Sequence, residues 1–173
     1  MSETYLLSTS RFKTISEVHT NTDDKIVKKA IQLAQDIELE QILGTTLIDA
    51  LKTKVSAGTI DDVGNENYLT LLNDYIENVI CYYALEELVD LITFKVMNKG
   101  ILKREAEDAV MSGADERAAL KRRYRTKAEI YADRLIRYLV KNETLFTEYL
   151  NHSTDIDKEK PRKQGWNPGF YFD

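Results

Sequence analysis

The sequence predicts a mainly α-helical protein, a helical bundle around one long central helix. The first observation behind this prediction is that the two prolines, Pro161 and Pro168, both lie near the C-terminus, so no proline interrupts the body of the chain. The second is that apolar residues recur at helical spacing over several long stretches. The 173 residues are enough for one domain with a buried core.

The first 22 residues show no clear helical periodicity, and we expect them to form an extended arm or a short strand. Leu7 and Phe12 are among the few apolar anchors in this segment. We therefore divide the chain into an N-terminal arm (1–22), a helical body (23–151) and an extended C-terminal docking tail (152–173).

The body begins with a helix that starts near Asp23. Thr22 is placed to cap this helix, and Asp23 and Asp24 lie where the helix dipole favours negative charge. Apolar residues follow at helical spacing as far as Gly44, a residue type that commonly ends helices. A second helix follows and is predicted to stop at Gly58.

The longest helix is predicted from about residue 65 to residue 91 or beyond. It is apolar around much of its circumference, which is typical of a central core helix. The alternating residues that follow and the turn signal Asn98-Lys99-Gly100 favour a short β-hairpin near 93–104. A last long helix is predicted over 115–140 and a short one over 143–150.

The composition is that of a mildly acidic chain without disulfides. Its net charge of −5 argues against a general nucleic-acid binder. The single cysteine, Cys81, cannot form an intramolecular disulfide, which fits a reducing compartment. No signal peptide is apparent, and no apolar run approaches the roughly 20 residues of a membrane span. We expect a soluble protein.

No residue pattern in the chain indicates catalysis. His19 and His152 lie in or beside predicted loops without the clustered ligands of a metal site, so surface histidines are the favoured interpretation. Cys81 lies within the most apolar helix, where a buried, inert thiol is favoured over a nucleophile. We therefore expect a protein that is not an enzyme and that uses no metal and no cofactor.

Glu86 and Asp90 lie four residues apart on the predicted central helix, a spacing that brings two carboxylates together. Such a pair could serve acid–base chemistry or bind a metal. No histidine accompanies it, however, as it does in the iron sites of helical bundles. A solvated acidic face or an ion pair with a neighbouring subunit is the favoured interpretation.

The densest basic region runs from Arg117 to Arg137 on the last long helix. Its cations do not form one stripe, because apolar and acidic residues lie among them. Three interpretations stay open. The favoured one is a solvated face with local ion pairs. The other two are contacts to an acidic neighbouring subunit and contact with nucleic acid. The residues that we assign to a subunit interface are Arg122, Arg123, Arg125, Glu86, Asp90 and Lys99.

The last eight residues, Trp166–Asp173, contain four aromatic side chains and follow a polar, charged stretch. Proline and glycine disfavour helix and strand here, yet burial of a large apolar side chain is worth roughly 1.5–3 kcal/mol. We expect this tail either to pack on its own body or to dock on another subunit, and docking is favoured. The residues that we expect to bind a partner are Trp166, Pro168, Phe170, Tyr171 and Phe172.

Several stretches, taken in their order along the chain, resemble those of a known protein family. They are Lys25–Asp36, Ile42–Asp49, Phe94–Gly100, Tyr131–Leu139 and the ending Asn142, Phe146 and Tyr149. In this order they resemble head–tail connector proteins of tailed bacteriophages, most closely those of Bacteroidetes-infecting and crAss-like phages. The resemblance spans roughly residues 20–150, so the aromatic tail lies outside it.

The resemblance implies a mainly helical virion protein of the phage neck, at the head–tail interface, made in the host bacterial cytoplasm. Such connectors form homo-oligomeric rings, typically of twelve copies, that bind the portal protein and other neck and tail proteins. They extend the DNA channel, make only passing contact with the genome and do not bind a membrane. The alternative is a non-viral, soluble helical adaptor or regulator that binds a partner through its aromatic tail.

Overall fold

The computed structural model describes residues 4–97, 100–103, 113–156 and 158–164. The chain is mainly helical, which confirms the predicted fold class. The helices are α1 (Thr9–Ile15), α2 (24–43), α3 (Thr45–Ser56), α4 (66–93), α5 (Ala114–Lys141) and α6 (Thr147–Leu150), with a 3₁₀ turn at Glu143–Leu145. Two short strands, β1 (Phe94–Met97) and β2 (Gly100–Lys103), lie between α4 and α5 in the chain.

Two of the helices contain a π-helical turn that the sequence did not predict. In α2 the α-helical segments Asp24–Leu33 and Glu40–Leu43 flank the π turn Ala34–Leu39. In α4 the π turn Leu71–Ile76 lies between Glu66–Thr70 and Glu77–Thr93. A π turn shifts the face that the following residues present, and such turns often occur at functional positions.

The central helix of the core is α4, as predicted, and it packs against both α2 and α5. Val79, Ile80 and Ala84 of α4 are fully buried. Ala128 and Ala132 of α5 are also fully buried, and small side chains one turn apart allow two helices to approach closely. The α4–α5 pair therefore forms a fixed platform for the side chains at its surface.

The N-terminal segment is not the extended arm expected from the sequence, because residues 4–22 pack on the body and contain α1. Ser8 caps α1 by accepting a hydrogen bond from the Arg11 N–H at 3.1 Å, and Phe12 is fully buried. The buried Gln35 side chain of α2 accepts a hydrogen bond from the Leu6 N–H at 2.9 Å. A helix of seven residues has too few turns for its periodicity to stand out.

The start of α2 lies where the sequence predicts it, although the cap differs. Asp23, rather than Thr22, caps the helix by accepting a hydrogen bond from the Lys25 N–H at 2.9 Å. The predicted β-hairpin is confirmed by antiparallel pairing of β1 with β2, with Phe94 opposite Lys103. Residues 98 and 99 of its turn lie outside the described residues.

Residues 152–156 and 158–164 follow α6 as an irregular segment, which we call the C-terminal strap. The strap folds back on its own body, since the Thr45 N–H donates to the Glu159 carbonyl at 3.1 Å and the Arg162 N–H donates to the Ile42 carbonyl at 3.2 Å. This part of the predicted docking tail therefore packs within the chain. The aromatic part of the tail, 166–172, lies outside the described residues.

Candidate interaction surfaces

Arg125 of α5 gathers three carboxylates into one cluster. Its Nη1 lies 2.7 Å from Oε1 of Glu38 and 3.5 Å from Oε2 of Glu86, and its Nε lies 3.1 Å from Oε1 of Glu129. The guanidinium also lies 5.0 Å from the centre of the Tyr83 ring. Burial raises the pKa of Glu86, and the charge of Arg125 opposes that shift. The Arg125 cluster thus ties α5 to α2 and α4.

Asp90 forms a separate ion pair with Lys121, and the hydrogen bond between them raises the pKa of Lys121. Glu86 and Asp90 therefore face different cations of α5 and do not converge on one site. Three charges that we assigned to a subunit interface, those of Arg125, Glu86 and Asp90, are balanced within the chain. Of the others, Arg122 and Arg123 are exposed, and Lys99 lies outside the described residues.

Two stacked tyrosine pairs lie along the junction of α4 and α5. Tyr82 stacks on Tyr131 with 5.2 Å between ring centroids and 12° between ring planes. Tyr75 stacks on Tyr138 with 4.1 Å between centroids and 21° between planes. The partners on each helix are seven residues apart, close to two helical turns, so both pairs lie on one side of the α4–α5 pair.

A cation lies over each tyrosine pair. The Lys127 Nζ lies 5.2 Å from the centre of the Tyr82 ring, and the Arg134 guanidinium lies 5.3 Å from that of Tyr75. Such a contact is worth about 0.5–1 kcal/mol at an exposed site. The contacts orient the basic side chains along the tyrosine rings.

This row of side chains ends in an open groove, which we call the basic groove. Its lining residues are Tyr75, Arg134, Arg137, Tyr138, Lys141 and Asn142. The three cations are exposed, and the two tyrosines are half-buried. Within the described part of the chain none of these three cations forms an ion pair, whereas Lys121 and Arg125 on the same helix do.

Sequence reasoning placed Arg134 and Arg137 in the basic region but did not single them out as interface residues. A signal was present, because residues 134, 137 and 141 are spaced so as to share one helical face. What the sequence could not show is which cations of α5 are neutralised by carboxylates from other helices. In the structure, carboxylates of α2 and α4 neutralise Arg125, and a carboxylate of α4 neutralises Lys121.

The strap crosses the corner between α2 and α3 at Gly44. This residue has φ 75° and ψ 153°, a conformation that is essentially restricted to glycine. A Cβ atom there would lie 2.8 Å from both Cδ and N of Pro161. The Thr45 Oγ1 donates to the Glu40 carboxylate at 2.8 Å and accepts from the Glu159 N–H at 2.9 Å. The corner is therefore shaped to receive the strap.

The end of the strap is held near α6. The Tyr149 hydroxyl donates to the Arg162 carbonyl at 3.3 Å, and the Lys163 Nζ lies 5.3 Å from the centre of the Tyr149 ring and 3.4 Å from the Glu143 carboxylate. Nε and Nη2 of Arg162 are buried without a hydrogen-bond partner among the described residues. The strap thus fixes the point from which residues 165–173 continue. The residues expected to bind a partner, Trp166, Pro168, Phe170, Tyr171 and Phe172, lie outside the described residues, and their role stays a prediction.

Cys81 and the histidines show no arrangement that indicates chemistry. Cys81 is buried, and burial raises the pKa of its thiol to about 12. The His19 Nδ1 accepts a hydrogen bond from the Asn21 N–H at 3.2 Å. Within residues 4–97, 100–103, 113–156 and 158–164, no group of three or more His, Cys, Asp or Glu side chains could hold a metal ion. None of the described helices combines the length and apolar character that a membrane span requires.

The comparison with protein families gives one match. The model of DUF6712, described as a family of unknown function, matches residues 39–157, which is more than half of the chain. The chain belongs to the DUF6712 family. In this DUF6712 protein the matched region includes Gly44, both tyrosine pairs, the basic groove and the first part of the strap. No curated protein and no solved structure matches the chain.

Proposed function

We propose that this DUF6712 protein is a structural virion protein of the phage neck. It forms a homo-oligomeric ring that joins the portal protein to tail components and extends the DNA channel. Its activity is assembly rather than a chemical reaction, and its place is the head–tail interface of the virion after synthesis in the host cytoplasm.

The observation that carries the proposal is the fixed strap. Because Pro161 fits against Gly44 and the Glu159 backbone pairs with Thr45, the chain reaches Gln164 at a defined place on a rigid helical body. The nine residues that follow contain four aromatic side chains. A short aromatic segment with a fixed origin suits a latch on a neighbouring subunit or on the portal, because less freedom is lost when it binds.

Two further features support a neck ring. The stretches that resemble head–tail connectors include the α2–α3 corner and the part of α5 that carries Tyr131 and Tyr138. A net charge of −5 also suits a channel through which DNA must pass without binding strongly.

The experiment that tests the proposal is portal binding by tail variants. The triple variant Trp166→Ser, Phe170→Ser and Phe172→Ser should lose co-sedimentation with the portal protein of the same phage. Ile156→Ser is the matched control, because Ile156 is a fully exposed apolar residue of the strap itself. Its removal should leave portal binding unchanged. Equal binding by the wild type and the triple variant would contradict the proposed latch.

The alternative is a soluble adaptor or regulator. The strap is also compatible with it, because the contacts that hold the strap lie within a single copy of the chain. Removal of residues 165–173 separates the two functions. In an adaptor, the truncated body stays intact and loses one partner. In a neck protein, truncation costs ring stability or portal docking.

A further inference from the structure

We propose that subunits of the ring join through charge-complementary surfaces, with a projecting acidic loop of one copy bound in the basic groove of the next. This inference rests on the proposed function, because it names the contact between neighbouring copies. A contact between two different surfaces of identical chains is heterologous, and such contacts build closed rings when the rotation between copies closes.

The acidic loop consists of residues 59–65 between α3 and α4. Asp61, Asp62 and Gly64 are exposed, and Val63 at the tip is 98% exposed. Neither aspartate forms an ion pair within the described part of the chain. A fully exposed valine beside two unpaired carboxylates is a surface that would gain from a partner with both apolar and basic groups.

Hydrogen bonds within the loop and to the adjoining helices brace it. The Asn65 side chain donates to the Thr59 carbonyl at 2.8 Å and accepts from the Lys54 Nζ at 2.9 Å. The Gly64 N–H donates to the Glu66 carboxylate at 3.0 Å, and Gly64 takes a φ of 96° that favours glycine. A loop that is already ordered loses little conformational freedom when it binds.

The basic groove offers the matching chemistry. It is an open groove with a volume of about 490 Å³. Arg134, Arg137 and Lys141 line this space without carboxylate partners in the described residues, and the half-buried Tyr75 and Tyr138, stacked on each other, form the aromatic part of its lining. The carboxylates meet the cations, and the tip valine meets the rings.

A second copy of the chain suits this groove better than nucleic acid does. The exposed valine of the loop needs an apolar counterpart, which the tyrosine rings provide and a phosphate backbone does not. The chain as a whole has a net charge of −5, and this negative charge repels nucleic acid. Complementary charge on a partner surface also directs association and fixes its register.

The decisive experiment exchanges the charges between two chains. One variant carries Arg134→Glu and Arg137→Glu, and the other carries Asp61→Lys and Asp62→Lys. Each variant alone has loop and groove of like charge, so its assembled fraction should fall at least about tenfold. An equal mixture should recover assembly, because every loop then meets a groove of opposite charge. Mass photometry measures all three samples, and recovery in the mixture shows that both variants are folded.

The matched control is Arg122→Glu with Arg123→Glu, which makes the same charge change on exposed cations of the same helix. This variant should assemble like the wild type. The proposal is overturned if the groove variant assembles normally, if the mixture does not recover, or if the groove variant loses DNA binding while its assembly is unchanged. A wild type that never assembles, even with portal, would instead remove the proposed ring itself.

Discussion

Gly44 is the residue on which the fit between the α2–α3 corner and the strap depends. We predict that Gly44→Ala lowers the free energy of unfolding by about 2–4 kcal/mol, because backbone strain adds to a clash with Pro161. Gly58→Ala is the matched control, since Gly58 has a similar φ of 67° but a Cβ there meets nothing within 4 Å. Urea unfolding measures both variants. Equal losses would contradict a corner shaped to receive the strap.

Arg125 stabilises the fold through charge, because it neutralises carboxylates from two other helices. Arg125→Ala should lower the free energy of unfolding by about 1–3 kcal/mol, since Glu38, Glu86 and Glu129 would keep their charges in a half-buried place. Adding Glu86→Gln should restore part of the loss. Arg123→Ala, an exposed change on the same helix, should stay within about 0.5 kcal/mol of the wild type. Thermal unfolding that fails to separate Arg125→Ala from this control would refute the cluster.

Tyr83 should make the protein less stable in strong base. Burial raises its pKa to about 12 from an ordinary value of 10.0, so the unfolded chain releases the phenol proton at lower pH than the folded chain does. The stabilisation is complete below about pH 10 and is lost as the pH rises toward the folded pKa. Tyr83→Phe keeps the ring and removes the titration. The free energy of unfolding of Tyr83→Phe should fall less than that of the wild type as the pH rises above about 10. An identical pH dependence in the two proteins would show that Tyr83 is not the cause.

The helices differ in how far the sequence predicts them. The apolar repeats of α2, α4 and α5 are long, and their predicted ends lie within about two residues of the observed ones. The short α1 has too few turns to be recognised, and the π turns shift the pattern without a local signal. Packing of the strap on its own body was the less favoured of the two expectations for another reason. The strap's partners, such as Gly44 and Thr45, lie more than 100 residues away in sequence.

The candidate surfaces show the same limit. The dense cations of α5 could be predicted, and so could the acidic pair Glu86 and Asp90. Their pairing with Arg125 and Lys121 depends on the register between helices, which the sequence does not contain. The basic groove at the other end of α5, whose cations have no carboxylate partner among the described residues, becomes visible only after those ion pairs are known.

Thr45 joins the strap to the α2–α3 corner through its hydroxyl. Thr45→Val should destabilise the protein by about 1–2 kcal/mol and speed amide exchange at Glu159, because one hydroxyl makes two hydrogen bonds there. Thr53→Val is the matched control, since among the described residues the Thr53 hydroxyl bonds only to the Asp49 carbonyl of its own helix. Hydrogen exchange followed by mass spectrometry distinguishes the two. Unchanged exchange in the strap of Thr45→Val would show that the strap is held elsewhere.

Three places on the molecule present groups that could bind a partner. The basic groove has cations without acidic partners in the described residues, the acidic loop presents carboxylates and Val63, and the strap ends at the start of an aromatic segment. The interior, in contrast, is closed around α4. A closed apolar core together with exposed charged and apolar groups at several places is typical of a subunit in an assembly.

The most direct test of the proposed neck ring is the mass of the wild-type protein in solution, measured by mass photometry, alone and with the portal protein of the phage to which the proposal assigns it. We expect a closed ring of defined copy number that binds the portal. A protein that stays monomeric at all concentrations and does not change the mass of the portal would contradict it.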